Sequence, residues 1–534
     1  MKRFWFGWMA WIAASAGIAL AADFEVHDAA HLTAALQRAG SGDRVLVYAG
    51  DYTGNWTVPA GVSLLGEPEF IPRAQVRPIF WSNGGAPILT MITSVESKFA
   101  TQVREICFLL AKESAIVITG NGSGYICECY FQGNQGVQGG AIYTAASGTL
   151  YFQTNYFMLN TADADGGAIC LEGMANVLSQ ANEFSQNKAG ADGGGLAVSG
   201  SNLVYSIDDL FMNNRAVQDG GAVAVVSNLR ICRVYEGWWT GGIAERDGGE
   251  LVVDQAAVLI YGGHSDASSA MRNGGFAAVR NGALSIGALW SGGAGAGEHG
   301  GWVSADASLI KAEDNYVTQF RARYGAGMSI RHPAAMKGDP PRVARNTFQF
   351  NRAAKDGGGL FLANLPAIQV ENNVFFLNDA GHGYGIALAA DATATIANNT
   401  FAHIQYVSGA LPLPVGEAIY ISGANNASKV LNNIVAGHAY GVRGEANVRA
   451  LVAGNDFFRT DAWGVINHPL ALNRILWEPP FVQFDPRQRI GDFHLQANAL
   501  SRNVAIPQYA PAIDRDGRAR DAQPDRGAYE FIGP

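Results

Sequence analysis

Two short motifs return in fixed register along this chain, and their period decides what it can fold into. Phe-x-x-Asn occurs as Phe131 to Asn134, Phe157 to Asn160, Phe184 to Asn187, Phe211 to Asn214, Phe348 to Asn351 and Phe375 to Asn378. Gly-Gly followed by a small and then an apolar residue, with some variation, begins at Gly139, Gly166, Gly193, Gly220, Gly248, Gly274, Gly300 and Gly357. From 139 to 300 the steps are 27, 27, 27, 28, 26 and 26 residues. Between these marks the apolar segments are short, as in Leu196 to Val198 and Ala222 to Val226, which suits strands rather than helices. Two or three such strands with their turns consume one period, so each repeat is one coil of a solenoid.

The expected class is therefore all-β: a single-stranded right-handed parallel β-helix with a short N-terminal capping helix. Equivalent residues of neighbouring coils would stack about 4.8 Å apart. Phe157, Phe184 and Phe211 would form an interior aromatic ladder, and the asparagines a second ladder that satisfies backbone groups at a turn. Glycine pairs fit where the chain turns with positive φ or where no Cβ is tolerated. Ala29 to Ala39, with Asp28 as N-cap, is the expected cap of the open N-terminal end. The longer steps before Gly357 and Gly416 imply loops, one carrying Pro333, Pro340 and Pro341, the other Pro412 and Pro414.

The division expected is a signal peptide at 1–21, a cap and first coil at 22–66, β-helix coils at 67–465 and a closing segment at 466–534. Lys2 and Arg3, an apolar run to Leu20 and the small residues Ala19 and Ala21 read as a secretory signal. No later apolar run is long enough to span a bilayer, so a secreted, periplasmic or cell-surface monomer without a membrane span is expected. Composition fits many strands and tight turns: 66 glycines, 16% charged and 48% hydrophobic residues. A net charge of −9 without a basic run argues against nucleic acid as a partner. Cys107, Cys127, Cys129, Cys170 and Cys232 match no zinc spacing; buried thiols in strands are expected, with one disulfide as the alternative.

The Phe-x-x-Asn and Gly-Gly-Ala-Ile pairing, over roughly 131–225 and 348–386, resembles the repeats of polymorphic outer membrane proteins. Those relatives are surface adhesins that end in an autotransporter barrel, and retention at the surface by that route is not expected here. Gly491-Asp492-Phe493-His494-Leu495, Pro511-Ala512-Ile513-Asp514, Asp516-Gly517-Arg518 and Pro524 to Phe531 resemble the closing segment of choice-of-anchor Q secreted β-helix proteins, with Arg526 in place of the usual isoleucine. Gly42-Asp43-Arg44-Val45 and Gly50-Asp51-Tyr52 are similar to the entry of pectate-lyase-like β-helices. That superfamily holds polysaccharide lyases, hydrolases and binding proteins, so fold alone does not choose among them.

Asp165, Asp192, Asp219 and Asp247 precede the glycine pair in successive coils, as does Asp356. Stacked carboxylates about 5 Å apart repel by about 3 kcal/mol at an effective dielectric of about 20. The row is then exposed, partly protonated, or neutralised by cations: Ca2+, to which hard oxygen ligands are suited, or Lys188, Arg215, Arg352 and Lys355 nearby. Asp192, Asp219 and Asp247 are also candidate catalytic acids, since carboxylates on adjacent or next coils have the separations glycoside hydrolysis uses. Gly381-His382-Gly383 is similar to a short polygalacturonase motif, but Gly383 falls on the repeat's own glycine phase and that family's other motifs are absent. Arg323 and Arg331, with Arg321, Tyr324, His332 and Lys337, have the residue types a uronate lyase needs, and equally those of a solvated face. Trp238, Trp239, Trp290 and Trp302 are candidate sugar-binding residues or core packing. The leading expectation is binding of polysaccharide or another cell surface. A polysaccharide lyase or glycoside hydrolase, and a purely structural passenger-like protein, are the alternatives.

Overall fold

The computed structural model describes residues 21–533 apart from 68, 72–73, 201–202, 227–230, 332–339, 390, 404–414, 424–426, 446–447, 461, 466–471 and 486–487. The secretory-signal segment, His332, Pro333, Lys337, Pro412 and Pro414 lie outside the described residues. The chain winds as a parallel β-helix. One full coil runs through Thr149–Gln153, Tyr156–Met158, Thr161–Ala162 and Ile169–Leu171, and each strand pairs in parallel with its counterpart one coil on. The first two faces are sheets of 17 strands, the third a sheet of 16, and the two-residue strands form a row of nine. We call the face built by Ile169–Leu171 and its counterparts the third sheet.

Alternation along each strand turns one side chain inward and the next outward, and the inward positions make the core. Phe108, Phe131, Phe157, Phe184 and Phe211 stack in one interior column with centroids 5.0, 4.8, 4.9 and 4.8 Å apart. Phe348, Phe375 and Phe401 form a second column at 5.3 and 4.8 Å. Asparagine ladders run beside them at two corners. Asn160 donates from Nδ2 to Asn187 Oδ1 and to Phe131 O, each at 3.0 Å, and its backbone N–H donates to the same Asn187 oxygen. A parallel ladder passes through Asn155, Asn182 and Asp209.

These ladders do a job that glycine does elsewhere. The residue before most of these asparagines takes a positive φ without being glycine: Thr154 at 55°, Ala181 at 53°, Leu159 at 57° and Gln186 at 55°. Such a conformation costs about 1 kcal/mol for an L-residue, which the amide bonds to both adjoining coils offset. Gly133 and Gly454 take that place before Asn134 and Asn455, and at the third corner, where glycine is regular, both readings of the pair hold. Gly166 has φ 68°, and a Cβ on Gly167 would stand 2.1 Å from Gly194 O.

The helix Ala29–Arg38 covers the N-terminal end, and Asp28 accepts from His31 N at 2.8 Å. A strand at Asp23–Val26 precedes it and pairs with Arg44–Tyr48. The interval between Gly300 and Gly357 holds a further coil, whose corner is Gly325 (φ 59°) followed by Ala326 rather than a second glycine. All five cysteines are free thiols: Cys129, Cys170 and Cys232 buried, Cys107 and Cys127 half-buried. At the other end, residues 474–533 lie along the second sheet. There Arg526 bonds Asp456 at 2.5 Å, Arg520 Nη2 donates to Asn372 Oδ1 at 2.8 Å, and Phe481, Phe493 and Ala528 pack on Phe376 and Ile434. No helix among the described residues is long and apolar enough to cross a membrane.

Candidate functional site on the third sheet

The repeat changes character between residues 236 and 300. The first asparagine ladder is replaced by Gly237, Gly263 and Leu289, the second by Gly242, Ser268 and Ala294, and the phenylalanine column by Trp239, Ser265 and Ser291. Volume lost at the two serines is restored from the opposite wall, where Phe276 and Trp302 are fully buried. Glu250 takes over from the missing asparagines. Its Oε1 accepts Gly242 N at 2.7 Å and Ser268 Oγ at 3.1 Å, Oε2 has no partner, and burial pushes the carboxyl up to about 8.

The same coils carry a polar cleft on the outside. Two rows of side chains line it. The first precedes the corner glycine and continues the aspartate row as Asp219, Asp247, Asn273, His299 and Tyr324, the last four being backbone partners in succession. The second ends the strands of the third sheet, where Asp254, Arg280, Asp306 and Arg331 alternate in sign in direct register. Between them the floor is low: Ala224, Val252, Ala278, Ser304 and Ser329. Small floor residues under two taller rows leave a cleft of about 340 Å³, bounded by Asp247, Arg272, Arg280, His299, Asp306 and Arg331 among others.

The aspartates are first of all structural. Asp165 Oδ1 accepts Asp192 N at 2.9 Å, Asp192 Oδ1 accepts Asp219 N at 3.0 Å, and Asp219 and Asp247 repeat this at 3.1 Å. Repulsion along the row is met by arginine. Arg246 grips Asp219 through both nitrogens, Nε at 2.7 Å, and Arg272 grips Asp247 at 2.9 and 2.5 Å. Arg280 spans three carboxylates, at 2.7 Å from Asp219, 3.1 Å from Asp247 and 3.2 Å from Asp254. Burial works to raise Asp219, but Arg246 and Arg280 outweigh it and hold the carboxyl below its usual range. Asp192, beyond direct arginine contact, is pushed up to about 6 by burial and by the Asp219 and Asp165 charges.

With their oxygens taken by guanidinium and backbone donors, Asp219 and Asp247 do not present the acid and base pair that glycoside hydrolysis requires. Nor does the row form a cluster of three or more ligating side chains; none exists among the described residues. What the cleft does offer is one incompletely paired arginine, Arg331. Arg331 approaches Asp306 only to 3.7 Å, its Nε and that of Arg280 are buried without hydrogen-bond partners, and burial lowers its affinity for the proton. His299, on Ser329 at 3.3 Å and stacked with Tyr324 at 5.0 Å, is driven down to about 4 by burial and then by Arg331 and Arg323. It is a neutral hydrogen-bonding group at physiological pH.

The other sequence candidates separate. Arg323 is exposed, paired with Glu298 at 3.3 Å and lying over the Tyr324 ring. Trp239 and Trp302 are core residues, 2% and 0% exposed. Trp238 and Trp290 are exposed on the second sheet, with His264 stacked between them at 5.0 and 4.4 Å and Tyr316 beyond at 6.2 Å. Each indole thus has a face covered by its neighbour, and the structure does not bring this column into the cleft. Arg246, Arg272, Arg280, His299 and Asp306 went unread in the sequence, although Asp254, Arg280, Asp306 and Arg331 recur at the repeat's own spacing with alternating charge.

Two family profiles match parts of the chain. The one described as periplasmic copper-binding protein (NosD) matches residues 297–462, and the one described as the Chlamydia polymorphic membrane protein repeat matches 128–145. One name is that of a periplasmic protein and the other of a membrane protein, consistent with a place outside the cytoplasm. No curated protein matches the chain.

Proposed function

We propose that this is a surface or periplasmic β-helix protein whose third sheet binds an acidic polysaccharide in the cleft between the His299 and Arg331 rows. The observation that carries the reading is Arg331, which lines the cleft beside a low floor and meets its acidic neighbour Asp306 only at 3.7 Å, with Arg280 in the same row. A carboxylate on a sugar ring is a planar acceptor matched to such donors, and a charge-assisted bond there is roughly twice as strong as a neutral one. Because coils repeat along the axis, a polymer lying along the row meets successive sites. Binding is favoured over lyase chemistry because His299, with its proton affinity set near 4, is a weak base for removing a carbon-bound proton.

Calorimetry against polyuronates and neutral glucans tests this. Salt-sensitive binding to polyuronates alone is expected, falling at least tenfold in Arg331→Ala and Arg280→Ala. Equal binding of neutral glucans, unchanged affinity in both variants, or accumulation of unsaturated products would contradict it.

A second reading, copper handling, is favoured by one observation. Within the segment matched by the copper-binding profile, His403 and His438 stand with ring centroids 5.8 Å apart, and Nδ1 of His403 and both nitrogens of His438 are buried without hydrogen-bond partners. Neutral imidazole is a fitting ligand for copper.

A further inference from the structure

Resting on that second reading, we propose that His403 and His438 are the ligands of a single monovalent copper ion held between two successive coils. His403 follows the strand Thr400–Ala402 and His438 the strand Ile434–Ala436, which pair in register, so both stand at the same corner of the helix. That corner is where the asparagine ladder runs in earlier coils. Asn351 there donates to Asn378 Oδ1 at 3.0 Å and to Val317 O at 3.1 Å. His438 stands where an asparagine would, one residue after Gly437 at φ 73°, yet makes neither bond.

Both nitrogens of His438 and Nδ1 of His403 are buried without partners; the backbones of Val415 and Asn378 approach the two rings without completing a hydrogen bond. An unmade bond of this kind is costly for a buried polar group, and three in one place call for an occupant. The ring centroids are 5.8 Å apart at 47°, neither stacked nor edge-on. Two imidazoles sharing a metal at about 2 Å from each nitrogen put their centroids roughly 5 to 6 Å apart. Tyr384 stands edge-on to both rings, 5.1 Å from His403 and 6.2 Å from His438, and closes one side.

The ion's charge follows from the surroundings. His438 is 2% exposed, and the carboxylate whose charge reaches His403, Asp379, is already paired with Arg352 at 3.2 Å. The penalty for burying an ion grows with the square of its charge, so a monovalent ion content with two neutral nitrogen ligands fits better than a divalent one. Copper in its monovalent state is such an ion.

The test is anaerobic titration of the full chain with monovalent copper against a chromophoric chelator, followed by X-ray absorption at the copper edge. A Cys107→Ser, Cys127→Ser background removes the two half-buried thiols. His438→Asn is the informative variant because it restores the ladder residue and should fold; a circular dichroism melt checks this. One copper per chain with two imidazole scatterers, a melting temperature raised by copper, and at least a hundredfold weaker binding in His438→Asn are expected. Zinc should bind far more weakly. Copper ligated by sulfur, or undiminished in the folded His438→Asn chain, would overturn this pair while leaving copper handling standing. No copper binding at all would sink both.

Discussion

The coils of residues 128–226 and those of residues 236–331 follow one backbone path and differ in what fills and faces it. In the first set, ring on ring and amide on amide repeat with little change, and the third sheet turns Tyr143, Cys170, Ala197 and Ala224 outward, with no arginine among them. In the second, both amide ladders and the phenylalanine column are interrupted, a buried glutamic acid and two displaced aromatics fill the interior, and the outer face carries the arginine-lined cleft. The solenoid tolerates this because each coil needs only its neighbours. Regularity builds the fold, and its interruption makes room for chemistry.

The contrast can be broken by mutation. Phe184→Ala removes a ring stacked at 4.9 and 4.8 Å and should cost about 4 kcal/mol in urea unfolding followed by circular dichroism. Ser265→Ala, at the equivalent place three coils on, should cost less than about 1 kcal/mol. Asn187→Leu would strip the partner from Asn160 N and from Phe157 O, both buried, for a loss of about 3 kcal/mol.

Glu250 sharpens the comparison through pH. Its carboxyl is raised from 4.5 to about 8 in the folded chain, so between those values the folded state keeps a proton that the unfolded state has lost. Stability from this group is full below pH 4.5, declines by at most about 1.4 kcal/mol per pH unit as pH rises, and is gone above about 8. Glu250→Gln should flatten that slope, read from melts across pH 5 to 8.5; a slope unchanged in the variant would assign it elsewhere. The smallest effect is expected for Trp238→Ala on the exposed ring column: below about 1 kcal/mol in stability and no change in polyuronate affinity by calorimetry.

Much of this was legible in the sequence because the solenoid writes its structure at a fixed period. Phe157, Phe184 and Phe211, Asn160 and Asn187, and the Gly166 corner all stand where their spacing put them. The coil at Gly325 escaped because Ala326 replaces the second glycine, while the partner-coil contact that forbids a Cβ is relaxed there. The Asp165 to Asp247 row was readable as a row, but its neutralisation by Arg246, Arg272 and Arg280 was not. Those arginines come from other positions in the coil, and only the winding places them beside the carboxylates. Trp238 and Trp239 show the same limit, since adjacent residues on a strand face opposite ways and the sequence does not say which faces out.

The central claim is that the interrupted coils, and not the regular ones or the exposed aromatic column, meet the ligand. Hydroxyl-radical footprinting with and without a polyuronate oligosaccharide tests it most directly. Oxidation of His299 and Tyr324 should fall on binding while Trp238, Trp290, Tyr130 and Tyr156 stay unchanged. Protection of those four rings, with His299 and Tyr324 unaffected, would contradict it.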